Sequence, residues 1–186
     1  MNALPPARAW TICGLLFFAT ALSFLDRQVL SVLAPDLTAQ FSMSNAVYAR
    51  VVFAFVASYT AMFALGGRLM DALGTRLGLG LSVGLWSLAS AAHACAKGPW
   101  TLGVARFFLG VGEGGCFPAA TKGAVEWMPA ERRALAVGIA NGGSAFGAVL
   151  APPLTAWWAG VFGWRGAFLA TAIIGAVWLL AWQAAL

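Results

Sequence analysis

Long apolar runs broken by short polar joints set the pattern of this chain. They lie near 10–33, 47–65, 77–96, 100–125, 134–156 and 166–186. Each is close to the ~20 residues that a helix needs to cross ~30 Å of hydrocarbon. None shows the alternation of a barrel strand, so helices are predicted. The first run exceeds the ~7–15 apolar residues of a signal-peptide core, and no small-x-small cleavage pattern follows it. The prediction is an all-α chain with six transmembrane helices joined by connections too short to hold a soluble domain.

Composition agrees with that pattern. Of 186 residues, 61% are hydrophobic and 9% charged, whereas a soluble domain carries roughly a quarter charged residues. So few charges cannot cover a water-exposed surface, and the chain reads as a polytopic membrane protein whose solvent is the lipid bilayer. Lys and Arg placement then sets the orientation. With the N-terminus inside, the cytoplasmic ends carry Arg8, Arg68, Arg76, Lys122, Arg132 and Arg133, against Arg50, Lys97 and Arg165 outside. That bias places both termini in the cytoplasm. The net charge of +5 is scattered with no basic stripe, so no nucleic-acid partner is expected. Cys13, Cys95 and Cys116 all fall within predicted spans without C-x-x-C spacing. They read as buried, inert thiols, with no disulfide and no metal site.

Two connections resemble each other: Leu73-Gly74-Thr75-Arg76 and Phe162-Gly163-Trp164-Arg165. From 74 to 163 is 89 residues, and from the start of run one at 10 to that of run four at 100 is 90. Three helices per unit is odd, so the second unit must enter the membrane inverted. Two inverted three-helix repeats are the plan of transporter folds, whose sites form at the repeat interface near the midplane.

Intramembrane charges should face the bundle interior and pair, since each costs at least ~2.5–3.5 kcal/mol at the bilayer centre. Asp26 and Arg106 lie about seven and six residues from the outer ends of their helices, so both sit roughly 10 Å deep. Arg27 shares that level, turned about 100° from Asp26. The expectation is that Asp26 meets Arg106 and leaves Arg27 free for an anion. Glu113, Tyr59 and Asn141 fall about twelve to fifteen residues in, near the midplane. Arg106 and Glu113 share a face two turns apart, across Gly110. An acid at that depth without a fixed base is most stable neutral, which suits a proton carrier.

Several motifs resemble the major facilitator superfamily. The stretch Gly67-Arg68-Leu69-Met70-Asp71-Ala72-Leu73-Gly74-Thr75-Arg76 is similar to its G-x-L-x-D-x-x-G-x-[RK] loop between helices two and three. The stretch Arg106-Phe107-Phe108-Leu109-Gly110-Val111-Gly112-Glu113 resembles the R-x-x-x-G-x-G-E signature of its fourth helix. With "LDR" in helix one, Phe117-Pro118, Glu126-Trp127, "NGGSAFGA" and "FGWR", the chain resembles the anion:cation symporter branch, especially the bacterial hexuronate and sugar-acid transporters. The resemblance implies a proton-coupled carrier of a small carboxylate in the bacterial inner membrane, with no cofactor. It also implies that Arg27 and Tyr59 bind the sugar acid, that Asp26 and Glu113 carry protons, and that Asp71 gates against a helix of a second half. Such transporters have twelve helices, so the chain looks like an N-terminal half that needs a second six-helix half. Ala72 and Thr75 replace common basic residues, and only Arg76 keeps that charge.

Plainer readings stand beside these. Asp26–Arg106 could be purely structural, Tyr59 could be packing, and Asn141 could bridge helices as readily as touch a ligand. Lys122 reads as snorkelling to the interface. Asp71 and Gly74 read as turn residues. Gly138, Gly142 and Gly147 read as close helix packing. The chain could also be a transport-incompetent folding unit or a half-size unit that dimerises. Gly142-Gly143-Ser144 resembles the G-x-S of six-helix intramembrane serine proteases, which would need the sole histidine, His93, beside Ser144.

Overall fold

The computed structural model describes residues 6–186. Among them there are helices and no strand. The order is α1 (Pro6–Val32), α2 (Ala34–Gln40), α3 (Asn45–Leu73), α4 (Thr75–Ala94), α5 (Pro99–Gly114), α6 (Cys116–Trp127), a single 3-10 turn (Ala130–Arg132) and α7 (Arg133–Ala185). Six crossings result, because α5 and α6 together make one and α7 makes two.

Each departure from a plain run of helices has a local cause. The fourth crossing breaks at Gly115. Pro118 lacks the N–H that would bond to the carbonyl of Gly114, and its ring crowds that carbonyl. Helix α3 runs on to Leu73, well past the apolar run that ends near 65, because no residue before Gly74 stops it. Gly74, at φ 76°, supplies the left-handed turn that a side chain would resist. Most of the expected loop motif from Gly67 is therefore helical. The fifth and sixth crossings meet at one non-helical residue, Gly163, at φ 70°, where the runs suggest a longer loop.

Close packing comes from glycines, and of the expected set only Gly147 takes part. A Cβ at Gly143 would strike the Phe17 carbonyl of α1, and one at Gly147 the Ala21 carbonyl, whereas Gly138 and Gly142 have open space beside them. The small-xxx-small pair that lets α7 lie on α1 is Gly143 and Gly147. Gly110 and Gly114 do the same for α5 against α3, meeting the carbonyls of Phe55 and Tyr59.

The apolar core divides into two clusters along the bundle. On α1 the first ends at Leu22 and the second starts at Leu25; on α5 Leu102 and Leu109 belong to different clusters; on α7 so do Phe168 and Trp178. The seam holds the buried polar residues Ser23, Asp26, Ser90, Arg106 and Thr171. Glu113, also buried, lies deeper, beside the first cluster.

Candidate functional site

Two polar groups occupy this seam, and α1 contributes to both. On one face of α1, Arg27 forms an ion pair with Glu113 of α5, with Nη2 3.0 Å and Nε 3.3 Å from Oε2. The same oxygen accepts from Ser23 Oγ at 3.1 Å. Ser23 and Glu113 are 90 residues apart, the offset of the inferred repeat, so repeat-related positions meet at the centre of the bundle. Three rings surround the guanidinium, with Phe24 at 4.6 Å, Phe55 at 5.2 Å and Tyr59 at 4.4 Å from Cζ. Arg27 retains 26% side-chain exposure while Glu113 has none.

On the other face, Asp26 Oδ1 accepts from Ser90 Oγ of α4 at 2.8 Å. Thr171 of α7 lies 2.8 Å from Ser90 and donates to the Phe168 carbonyl at 3.1 Å. Arg106 is buried in the same layer, its Cζ 5.7 Å from the Phe55 ring centre.

The structure therefore corrects the expected pairing. Among the described residues Asp26 and Arg106 form no ion pair, and Arg27 is paired with Glu113. Adjacent Asp26 and Arg27 do have different partners. Depth along a helix locates the Cα atoms, whereas the side chains lean toward the N-terminus of their helix. Helices α1 and α5 run in opposite directions. Asp26 and Arg106 start level and lean apart, whereas Arg27 and Glu113 start about two turns apart and lean together.

The remaining candidates separate further. Asp71 pairs with Lys122 at 2.6 Å, and Lys122 also donates to the Met70 carbonyl at 2.8 Å; Lys122 is thus an ion-pair partner as well as an interfacial base. Arg76 does not join them. Its guanidinium caps the end of α7 through the carbonyls of Leu186 at 3.0 Å and Gln183 at 3.5 Å. Asn141 lines a cleft of about 790 Å³ with Gly67, Asp71, Phe117, Lys122 and Glu126. It lies outside the Arg27 group, yet the cleft adjoins it, because Phe117 packs on Phe24 and Phe63 on Tyr59. Ser144 donates to the Asn141 carbonyl at 2.7 Å, and His93 bonds to Ala89. The protease pairing is absent. Cys13 and Cys116 are buried, but Cys95 is exposed just past the end of α4.

Ser23, Phe24, Phe55, Ser90 and Thr171 escaped the reading of the sequence. Serines, threonines and phenylalanines are common in membrane helices, and only their place beside a buried charge marks these.

The sequence pattern described as Major Facilitator Superfamily matches residues 16–186. The galacturonate transporter of Dickeya chrysanthemi is 38% identical over 93% of this chain and 50% of its own length. The hexuronate transporter of Escherichia coli K12 is 36% identical over 93% of this chain and 40% of its own. The chain thus spans about half the length of the curated relatives it matches. In fold, the inward-facing, unoccupied structure of a bacterial homologue of the human lysosomal transporter Spinster superposes with a TM-score of 0.91 at 24% identity. That match covers 99% of this chain and 44% of that one. The inward-open xylose transporter XylE from E. coli gives 0.84 at 18%, covering 95% and 48%.

Proposed function

The chain belongs to the major facilitator superfamily, and from that premise we propose that it forms one wall of a proton-coupled carrier for a sugar-acid-like carboxylate, hexuronate or galacturonate in kind. In this reading the chain is the N-terminal six-helix half, works by alternating access against a second half, and sits in a bacterial inner membrane with both termini cytoplasmic. The observation that carries the reading is the Arg27–Glu113 pair. A part-exposed guanidinium, ringed by three aromatic faces, is held by a buried carboxylate through one oxygen. A substrate carboxylate is the chemical equal of that partner.

Coupling follows from competition. A guanidinium holds one carboxylate well through two parallel hydrogen bonds. When Glu113 takes a proton its claim on Arg27 falls, and the cation is free for the substrate while the acid is neutral in a dry site. Proton and anion then load together. Tyr59 presents its ring to Arg27, and in this reading Asn141, which lines the adjoining cleft, meets the hydroxyls of a sugar acid. Asp26 is the second proton site in this reading, Arg106 the cation in its layer, and Asp71 and Arg76 belong to the gate region.

Relatives about twice as long support a two-half carrier. Proteoliposomes holding this chain alone should show no saturable, proton-driven galacturonate uptake, and co-reconstitution with a second six-helix half should supply it. Saturable uptake by the chain alone would replace this proposal with an assembly of half-size units.

A further inference from the structure

His93, the only histidine of the chain, is fully buried near the end of α4, stacked on Phe168 with ring centres 4.7 Å apart and planes 13° from parallel. Its Nδ1 lies 2.7 Å from the Ala89 carbonyl oxygen. A carbonyl only accepts, so Nδ1 carries the hydrogen, and in a neutral ring Nε2 is left as a bare acceptor.

Four buried atoms in this layer have no hydrogen-bond partner: Asp26 Oδ2, His93 Nε2, and Arg106 Nε and Nη2. Two are acceptors and two are donors. Orphaned polar groups in a dry interior are costly, and such groups find one another when geometry allows. Here it does. Helix α4 runs toward the end of the bundle where α5 begins, so His93 leans inward along α4 while Arg106 leans outward along α5, and the two side chains converge. Arg106 lies within Coulombic range of both His93 and Asp26.

We propose that His93 is a positioning residue for Arg106: its bare Nε2 accepts from the guanidinium, directly or through one water, and shares that cation with Asp26 Oδ2. The arrangement gives the buried arginine a second, uncharged acceptor. Arg106 then stays anchored whenever the Asp26 carboxyl is neutral. The contact concerns the resting chain and does not depend on the transport reading, so either can fail alone.

Nuclear magnetic resonance of the full chain in nanodiscs, with 15N-labelled histidine, tests this without assignment ambiguity. The expected spectrum shows a protonated Nδ1 and an unprotonated Nε2 displaced upfield by the hydrogen bond it accepts. Arg106→Met should move Nε2 downfield and leave Nδ1–H in place. Asp26→Asn, which weakens the competing acceptor, should move Nε2 further upfield. A protonated Nε2 in the native chain, or an Nε2 signal indifferent to Arg106→Met, overturns the proposal; indifference to Asp26→Asn overturns the sharing. Should Arg106→Met not fold, 15N-arginine spectra of the native chain and His93→Phe, which preserves the stack on Phe168, read the contact from its other side. A displaced arginine signal supports it, and superimposable spectra refute it.

Discussion

The two polar groups on α1 differ in one respect that decides what each can do. The Arg27–Glu113 group is ionically paired, adjoins the cleft through Phe24 and Tyr59, and leaves its cation partly exposed. The Asp26–Arg106 layer is sealed, and its acid is held by the hydroxyl of Ser90 while its base keeps unused donors. Adjacent residues of one helix thus carry opposite designs. A part-exposed cation with an exchangeable carboxylate partner can trade that partner for a ligand. A sealed acid whose one direct partner among the described residues is the Ser90 hydroxyl can change protonation without breaking an ion pair.

The sharpest break in this contrast is Glu113→Gln. In vesicles holding this chain with a second half, the amide should mimic the protonated acid, retain galacturonate exchange and abolish accumulation driven by a pH gradient. Full gradient-driven accumulation in that variant would remove Glu113 from coupling. Arg27→Lys comes next. The ammonium keeps the charge but loses the planar fork and the stacking on Tyr59. Losing a charge-assisted hydrogen bond worth about 1.5–3 kcal/mol should weaken anion binding by roughly tenfold or more. Equal affinity, read by titration calorimetry, would place the anion elsewhere.

The same contrast extends to stability. Ser90→Ala takes the donor from a buried carboxylate oxygen and should cost about 1–3 kcal/mol. Ser23→Ala should cost less, about 1 kcal/mol or below, because Glu113 Oε2 keeps both Arg27 donors. Thermal unfolding of the two variants in one detergent compares them, and a larger loss at Ser23 would invert the assignment of sealed and exchangeable layers. The smallest effect is expected at the rim. Lys122→Met breaks a pair whose Asp71 side chain is 74% exposed, and such pairs contribute at most about 1 kcal/mol. A large drop in melting temperature there would show that the Asp71 pair is structural to α3 and α6.

Much of this architecture was legible along the chain. Six apolar runs near crossing length, with charges almost confined to the joints, leave helices in a bilayer as the one way to satisfy every backbone group. The intramembrane charges, Asp26, Arg27, Arg106 and Glu113, stand out against that background, and their burial follows from their cost in hydrocarbon. Pro118 could have announced the break at Gly115, since the missing N–H is a property of the residue itself.

What the sequence by itself determined is what depends on one helix at a time: how many helices cross, which residues must hide, and that Asp26 and Arg27 point to different neighbours. Only the tertiary structure decided who meets whom. Pairing across helices depends on their relative direction, because every side chain leans toward the start of its own helix. It depends also on how closely two backbones approach, which Gly143 and Gly147 permit on α1 and which Gly138 and Gly142, on the same helix, do not influence. A count of residues from the membrane surface carries neither quantity, and so it joined Asp26 to Arg106 where the folded chain joins Arg27 to Glu113.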